Sequence, residues 1–529
     1  MMGLIEGMSQ TEIWQKKELA FESAIEYTNP IYDLKEFYAN FISPSGVPHR
    51  INGFWDGEGI FKVRFAPTEI GTWHYQTVCS DDKSGLGGEE GSFVCVASTS
   101  DLDIYKRGSI KRDIGAYHLQ YSDATPFFFT ACTAWNGALK STEEEWEEYL
   151  KHRVENNYNV IQFVTTQWRG CEKDSRGEVA FTGSGRINLN TDFFKRMDAK
   201  IDRINAHGLV AAPVLLWALP QSTGREFSPG YYLPQEEAIA LARYMVARFG
   251  ANQVIWILGG DGRYTREYEQ RWKNIGRGVF ADDPPGIVAQ HPHGSLWIGE
   301  EYKDEDWLDI IGYQSSHNKS ERVIDWINKG PMATTWDKLP PRPIINMEPN
   351  YEEIRYEFDD TDVRNASYWS IFATPISGIA YGHNGIWPWI QKEGEPVENH
   401  GRQGDRTPST WDKAIDFPGS IQIGYLSSFI QEFNWWELSP NLKLLVHQPG
   451  NKVYNHFISL VSDDSASIIL AYTPIQQRVT IRNPKGHTYD GRWFNPVGNK
   501  FMKANLQIEG HTVSATPPSE QDYILILER

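Results

Sequence analysis

Cysteine is scarce in this chain, and none of its 4 cysteines forms a C-x-x-C pair. That spacing argues against a metal cage. Cys79 and Cys95 fall in strand-like stretches and could face each other, but free, buried small residues are the expected state of this pair. No apolar run reaches the length of about eighteen residues that a bilayer-spanning helix needs. The opening stretch, "MMGLIEGMSQTEIWQKKE", has no basic region followed by an apolar core, so it does not read as a secretory signal. A cytoplasmic location is expected, with export as the alternative if a signal is missing from this chain. Positive charge is in deficit: 51 Lys and Arg against 69 Asp and Glu leave a net charge of −18. Such a surface repels phosphate backbones, so a nucleic-acid partner is not expected. Low-complexity tracts and short repeats are absent too.

What the chain has in quantity is aromatic surface. Phe, Trp and Tyr make up 13% of 529 residues, with 20 Trp, and hydrophobic residues reach 40%. The length exceeds one hydrophobic core and predicts about two to four domains. An excess of Trp and Tyr suits flat polar ligands such as sugars, although large β-rich modules also use many aromatics.

The hydrophobic rhythm divides the chain into three. Residues 1–105 alternate apolar and polar positions between short turns, as in "FWDGEGIFKVRFAP" and "GTWHYQTVCS", which predicts a β-sandwich. Across 110–437 apolar strand candidates alternate with amphipathic helices. The strands are Pro126–Trp135, Asn159–Val164, Leu209–Leu216, Val254–Gly262, Gly286–His293, Asp309–His317, Pro343–Asn350 and Ser377–Gly385. Eight strand–helix units over roughly 320 residues are the arithmetic of a (β/α)8 TIM barrel. A doubly wound open sheet is the alternative, but it would more often carry a Gly-rich phosphate turn, and "G-x-G-x-x-G" is absent after the first strand. Residues 438–529 alternate again and predict a second, small β-sandwich. The predicted fold is therefore multidomain, with a central barrel between two β-modules.

"VIWILGGDG" runs an uncharged strand straight into a carboxylate, Asp261, on a glycine turn. "IINMEPNYE" does the same with Glu348. These acids end the fourth and seventh strands, and in a barrel those ends face each other across the mouth where active sites lie. Two carboxyls converging there can split a glycosidic bond, one as proton donor and one as nucleophile. Both also have plainer readings, Asp261 as the cap of the next helix and Glu348 as a loop acid. Glu352 and Glu353 compete for the role but are placed on the following loop or helix. Trp135, Asn136, Gln167, Trp168, Trp217, His291, Gln314, His317, Tyr381, His383, Asn384 and Trp387 cluster at the same strand ends. Such side chains can stack on a sugar ring, hydrogen-bond its hydroxyls or orient the acids. His291 and His293 alternate along a strand and so rarely bind one ion, and neither a metal nor a cofactor is expected.

At "FFFTACTAWNGA", "NVIQFV", "VIWILGGDG", "IINMEPNYE", "YWSIFATPISGIAYGHNGIW" and "FNWWELSP" the chain resembles the apiosidase-like glycoside hydrolases. These carry a (β/α)8 barrel and a small C-terminal β-domain often described as collagen-binding. The first hundred residues resemble an N-terminal β-module found before such barrels. The resemblance implies retaining hydrolysis of a plant or microbial oligo- or polysaccharide, with Asp261 as acid/base and Glu348 as nucleophile. Cys132 stands where related sequences commonly carry the acid of an Asp-Thr pair. An inactive carbohydrate-binding protein on the same fold, or a lyase or transglycosidase using the same acids, are the alternatives. A cytoplasmic enzyme acting on imported oligosaccharides would reconcile such an activity with the missing signal.

Overall fold

The computed structural model describes residues 9–220, 225–400 and 408–529. Residues 1–8 of the opening stretch read for a signal lie outside them. Eight parallel strands close into a barrel in chain order. They are β1 (Phe129–Thr133), β2 (Val160–Val164), β3 (Val210–Trp217), β4 (Ile255–Gly262), β5 (Ile287–Pro292), β6 (Ile310–Gln314), β7 (Ile344–Glu348) and β8 (Gly378–Tyr381). β8 returns to β1 with Phe129 opposite Gly378 and Cys132 opposite Tyr381. Every residue of β1, β2, β3, β5, β6, β7 and β8 is buried. That two-sided burial is why these strands read as unbroken apolar runs, not as alternating ones.

Helices follow the strands: α1 (Glu143–Glu155), α2 (Thr191–Ala206), α3 (Gln235–Phe249), α4 (Glu269–Val279), α5 (Gly299–Tyr302), α6 (Glu321–Lys329), α7 (Asp360–Ala373) and α8 (Pro418–Ile430). The acids at the start of α1 complete a capping box between Thr142 and Glu145, and Asp359 with Asp362 does the same for α7. Each box satisfies main-chain N–H groups that the helix itself leaves orphaned. Two details depart from the sequence reading. "PFFFTACTAW" is broken at Phe128: Pro126–Phe127 pairs antiparallel with Leu119–Tyr121, and only Phe129 onward enters the barrel. Asn159 holds this break, donating to the Phe128 carbonyl at 2.8 Å and accepting the Thr130 N–H at 2.8 Å. The long loop after β2 also contains a short hairpin, Phe181–Thr182 with Asn188–Leu189.

The N-terminal module is a sandwich of a five-stranded and a three-stranded sheet. Its core crosses between them where Phe41 stacks on Phe65, ring centroids 4.6 Å apart. The C-terminal module pairs a six-stranded with a three-stranded sheet. Its strand Ile468–Thr473 is buried on both faces: Ile469 and Ala471 fill the module's own core, while Leu470 and Tyr472 join the barrel's. Tyr472 stacks on Tyr368 of α7 at 4.7 Å, and Phe494 on Phe429 of α8 at 4.2 Å. Both modules are thus packed onto the barrel's helical layer. All four cysteines are free. Among the described residues no helix is long and apolar enough to cross a membrane.

A buried ion cluster holds the N-terminal module in place. Arg64 reaches from its strand Ile60–Phe65 to Asp198 of α2, with N–O distances of 2.7 and 2.9 Å. Arg248 of α3 pairs with Asp198 at 2.6 Å and with Asp56 at 2.7 Å. Arg248 is fully buried. Removing one partner of such a cluster leaves an uncompensated charge in the interior. Asp198→Ala is therefore expected to destabilise the protein by ~3–5 kcal/mol, read as a fall in the denaturant midpoint. A loss below about 1 kcal/mol, the worth of an exposed pair, would contradict the structural role given to the cluster.

Candidate active site

The glycines around Asp261 make room for rings. A Cβ on Gly260 would lie 2.6 Å from the Trp217 ring, and one on Gly262 2.4 Å from the Tyr264 ring. The pairing of β4 with β5 slips twice, between Ile257 and Gly260 and between Gly260 and Gly262. Irregularities of this kind re-aim a side chain at a barrel rim. Asp261 itself sits in the left-handed region at φ 52°, a costly conformation for a residue with a side chain. The carboxylate thus stands at the rim of β4, where it lines a cleft of about 1020 Å³.

Glu348 ends β7 and lines the same cleft. Two histidines hold its oxygens. His317 Nε2 lies 2.9 Å from Oε1, and His291 Nε2 lies 3.3 Å from Oε2. His291 Nδ1 accepts the Asp261 main-chain N–H at 3.3 Å, which puts the ring proton on Nε2, facing Glu348. One buried imidazole therefore ties both acid-bearing strand ends together. Burial works to raise the Glu348 carboxyl, but the contacts with His291 and His317 outweigh it and hold the group well below the usual carboxylate range. Asp261 moves the other way. Burial pushes it up and the charge of Glu348 adds to this, while His293, Arg169 and His291 pull back without cancelling it. The two carboxyls are therefore shifted in opposite directions.

Aromatic rings form the rest of the wall. Trp135, Trp168, Trp217 and Trp387 all line the cleft. Trp168 and Trp217 lie 4.2 Å apart, and Trp135 meets Trp217 at 5.7 Å. Trp135 Nε1 donates to the Tyr351 hydroxyl at 2.9 Å. The Tyr351 ring lies 4.4 Å from His317 and against Gly382, where any Cβ would come within 2.1 Å of it. Gln314 and His317 also line the cleft, as expected.

Six of the residues named from the sequence stand elsewhere. His291 is fully buried behind the acids, where it orients them. Asn136 is spent inside the wall: it accepts the Trp168 Nε1–H at 2.7 Å and donates to the carbonyls of Gly170 and Pro388. It braces the loops that carry Trp168 and Trp387 and does not face the cleft. Gln167 pins the hairpin after β2, donating to Phe181 and accepting from Ala180. Tyr381 donates to Glu352 at 2.8 Å. His383 is fully buried against Phe417, and burial pushes it down to about 3, so it stays neutral. Asn384 is fully buried beside it. Cys132 is also fully buried, beside Arg153, and does not line the cleft.

Arg169, His293, Ser316, Tyr351, Arg355, Tyr356 and His400 line the cleft as well and were not among the named site residues. Tyr351 stood inside the quoted "IINMEPNYE", and Arg169 and His293 stood next to named positions. His400 sits in a loop without any periodic pattern, so nothing in the sequence marks it. Glu352, the competitor to Glu348, is buried away from the cleft and accepts the Gly419 N–H at 3.1 Å. Among the described residues no group of three or more His, Cys, Asp or Glu side chains could hold a metal.

A closed parallel barrel with two acids and an aromatic wall at its carboxyl rim defines a carbohydrate-active enzyme of glycoside hydrolase type. The chain belongs to the apiosidase-like family: the profile described as "Apiosidase-like, catalytic domain" matches residues 115–437. Residues 10–80 match a domain of unknown function, DUF5060. No curated protein matches the chain. Among solved structures it is similar to one titled glycoside hydrolase, with 22% identity, a TM-score of 0.69, and coverage of 82% of this chain and 98% of the other. It is also similar to a glycoside hydrolase family 5 protein from Bacteroides vulgatus, with 21% identity, a TM-score of 0.69, and coverage of 80% and 94%. Another protein of that organism is 15% identical with a TM-score of 0.70 and coverage of 98% and 99%. At these identities the likeness is one of fold.

Glu352 offers a test of the packing behind the site. Burial raises its carboxyl to about 7, against hydrogen bonds from Tyr381 and Gly419 that favour the ionised form. The folded protein then binds this proton more tightly than the unfolded chain does, so stability should fall as pH rises from about 4.5 through 7. Glu352→Gln should flatten that slope in denaturant titrations run across the range. An unchanged slope would show that Glu352 is not its source.

Proposed function

We propose that the protein is a retaining glycoside hydrolase acting on a plant or microbial oligo- or polysaccharide. The observation that carries this reading is the opposed tuning of Asp261 and Glu348 across one cleft. A carboxyl raised by burial is the proton donor to the leaving glycosidic oxygen. A carboxylate held ionised by two histidines is the nucleophile at the anomeric carbon. In the first step Glu348 forms the bond to that carbon while the C–O bond to the leaving sugar breaks, and Asp261 gives its proton to the departing oxygen. In the second step Asp261 takes a proton from water, whose oxygen displaces Glu348. The Trp135, Trp168, Trp217 and Trp387 rings supply apolar faces for the sugar, and Gln314 supplies an amide for its hydroxyls. Apiose-bearing plant oligosaccharides are the first substrates to try, given the apiosidase-like family.

Release of sugar from a panel of plant and microbial oligosaccharides tests the activity. Asp261→Asn and Glu348→Gln should each lower it by at least about a hundredfold, the scale of a lost acid/base or nucleophile. Proton NMR of the first-formed product should show the anomeric configuration of the substrate; inversion would overturn the retaining step. Activity that survives both substitutions would mean that other groups do the chemistry.

The pH profile is a separate check. Activity should be lost at low pH as Glu348 gains a proton and at high pH as Asp261 loses one. His317→Ala removes an N–H from Glu348, so the acidic limb of kcat/KM should move to higher pH while the basic limb stays. An acidic limb that does not move would deny His317 this role.

A further inference from the structure

A second recess adjoins the cleft and is lined in part by the loop that follows Asp261. It has a volume of about 450 Å³, within the range of roughly 300–1,000 Å³ typical of small-molecule sites. The loops that follow β4 and β5 form it. His293 and Gly294 border both cavities, so the recess meets the cleft there. Gly294 has no side chain and is partly exposed, which leaves only a low sill between the two.

Three side chains of this lining are uncommitted. Tyr268 is half-buried, and its hydroxyl makes no hydrogen bond among the described residues. Arg266 is exposed and Glu301 half-buried, and neither has an ion-pair partner among them. Trp297 closes one wall and is nine-tenths buried. Packed surfaces of this protein use their arginines and tyrosines differently, as Arg64, Arg248 and Tyr381 show. An aromatic ring beside free donors and acceptors is what a sugar needs: a face to lie on and partners for its hydroxyls.

Its position says which sugar. The acid/base gives its proton to the leaving oxygen, so the leaving chain departs on the Asp261 side and the retained sugar stays on Glu348. We propose that the recess is a distal leaving-group subsite. It takes a sugar unit of the leaving chain beyond the one joined at the scissile oxygen, with Tyr268 as the platform and Arg266 and Glu301 as hydroxyl partners. The enzyme then prefers oligosaccharides extended on the leaving side. This rests on the reading of Asp261 as proton donor.

Binding tests it without turnover. The Glu348→Gln protein is titrated calorimetrically with pectic and xylan oligosaccharides separated into two-unit and five-unit pools. The longer pool should bind at least about tenfold more tightly, and adding Tyr268→Ala should remove most of that preference. Arg266→Ala, at an exposed position, should remove part of it. Equal affinity for the two pools, no binding of either, or a length preference that survives both substitutions would overturn the subsite. Failure of the wild type to hydrolyse the wider panel would instead count against the catalytic reading.

Discussion

Two carboxyl groups lining one barrel mouth cannot both ionise cheaply, and the cleft is arranged around that repulsion. Glu348 is held toward the charged form because β5 and the loop after β6 each send a histidine to it. Asp261 is shifted the other way because burial and the charge of Glu348 outweigh the pull of His293, Arg169 and His291. His291 joins the two sides, receiving the main-chain N–H of one acid and facing the carboxylate of the other. The strained turn at Asp261 and the paired slips of β4 fit the same need, since they set where the Asp261 carboxyl stands. Rigid neighbours hold these groups before any substrate arrives, which is how electrostatic preorganisation works.

The flanking modules extend this rigidity outward by different means. The N-terminal sandwich is fixed by ions: Arg64, Arg248, Asp56 and Asp198 form one buried cluster. The C-terminal sandwich is fixed mainly by ring stacking and two-faced strands, with Arg364 of α7 reaching its Asp522 at 2.9 Å. Ion clusters at a junction are demanding in geometry, while apolar faces tolerate small shifts.

Much of the site's support is hidden from its surface. Asn136, Gln167 and Tyr381 hold loops and strand ends through hydrogen bonds to main chain or to Glu352. Their polar groups looked like ligands for a sugar because they follow strand ends. In the fold they satisfy buried main-chain and carboxylate groups that would otherwise be left unpaired. Residues that do face the cleft, such as Arg169 and Tyr351, sit within a few positions of those named. Choosing between such neighbours requires knowing how each strand end rotates as the barrel closes.

Sequence alone determined the order and number of the barrel strands, the helices between them, the two β-modules and the positions of Asp261 and Glu348. These are local features: apolar runs, helical periodicity, caps and glycine turns act over a few residues. Tertiary structure alone decided which polar side chains turn toward the cleft. It also decided that a loop residue such as His400 joins them, and that one acid is raised while the other is lowered. Burial and charge act through space. The partners that tune Glu348, His291 and His317, lie 57 and 31 residues away along the chain, and no pattern announces that they will meet.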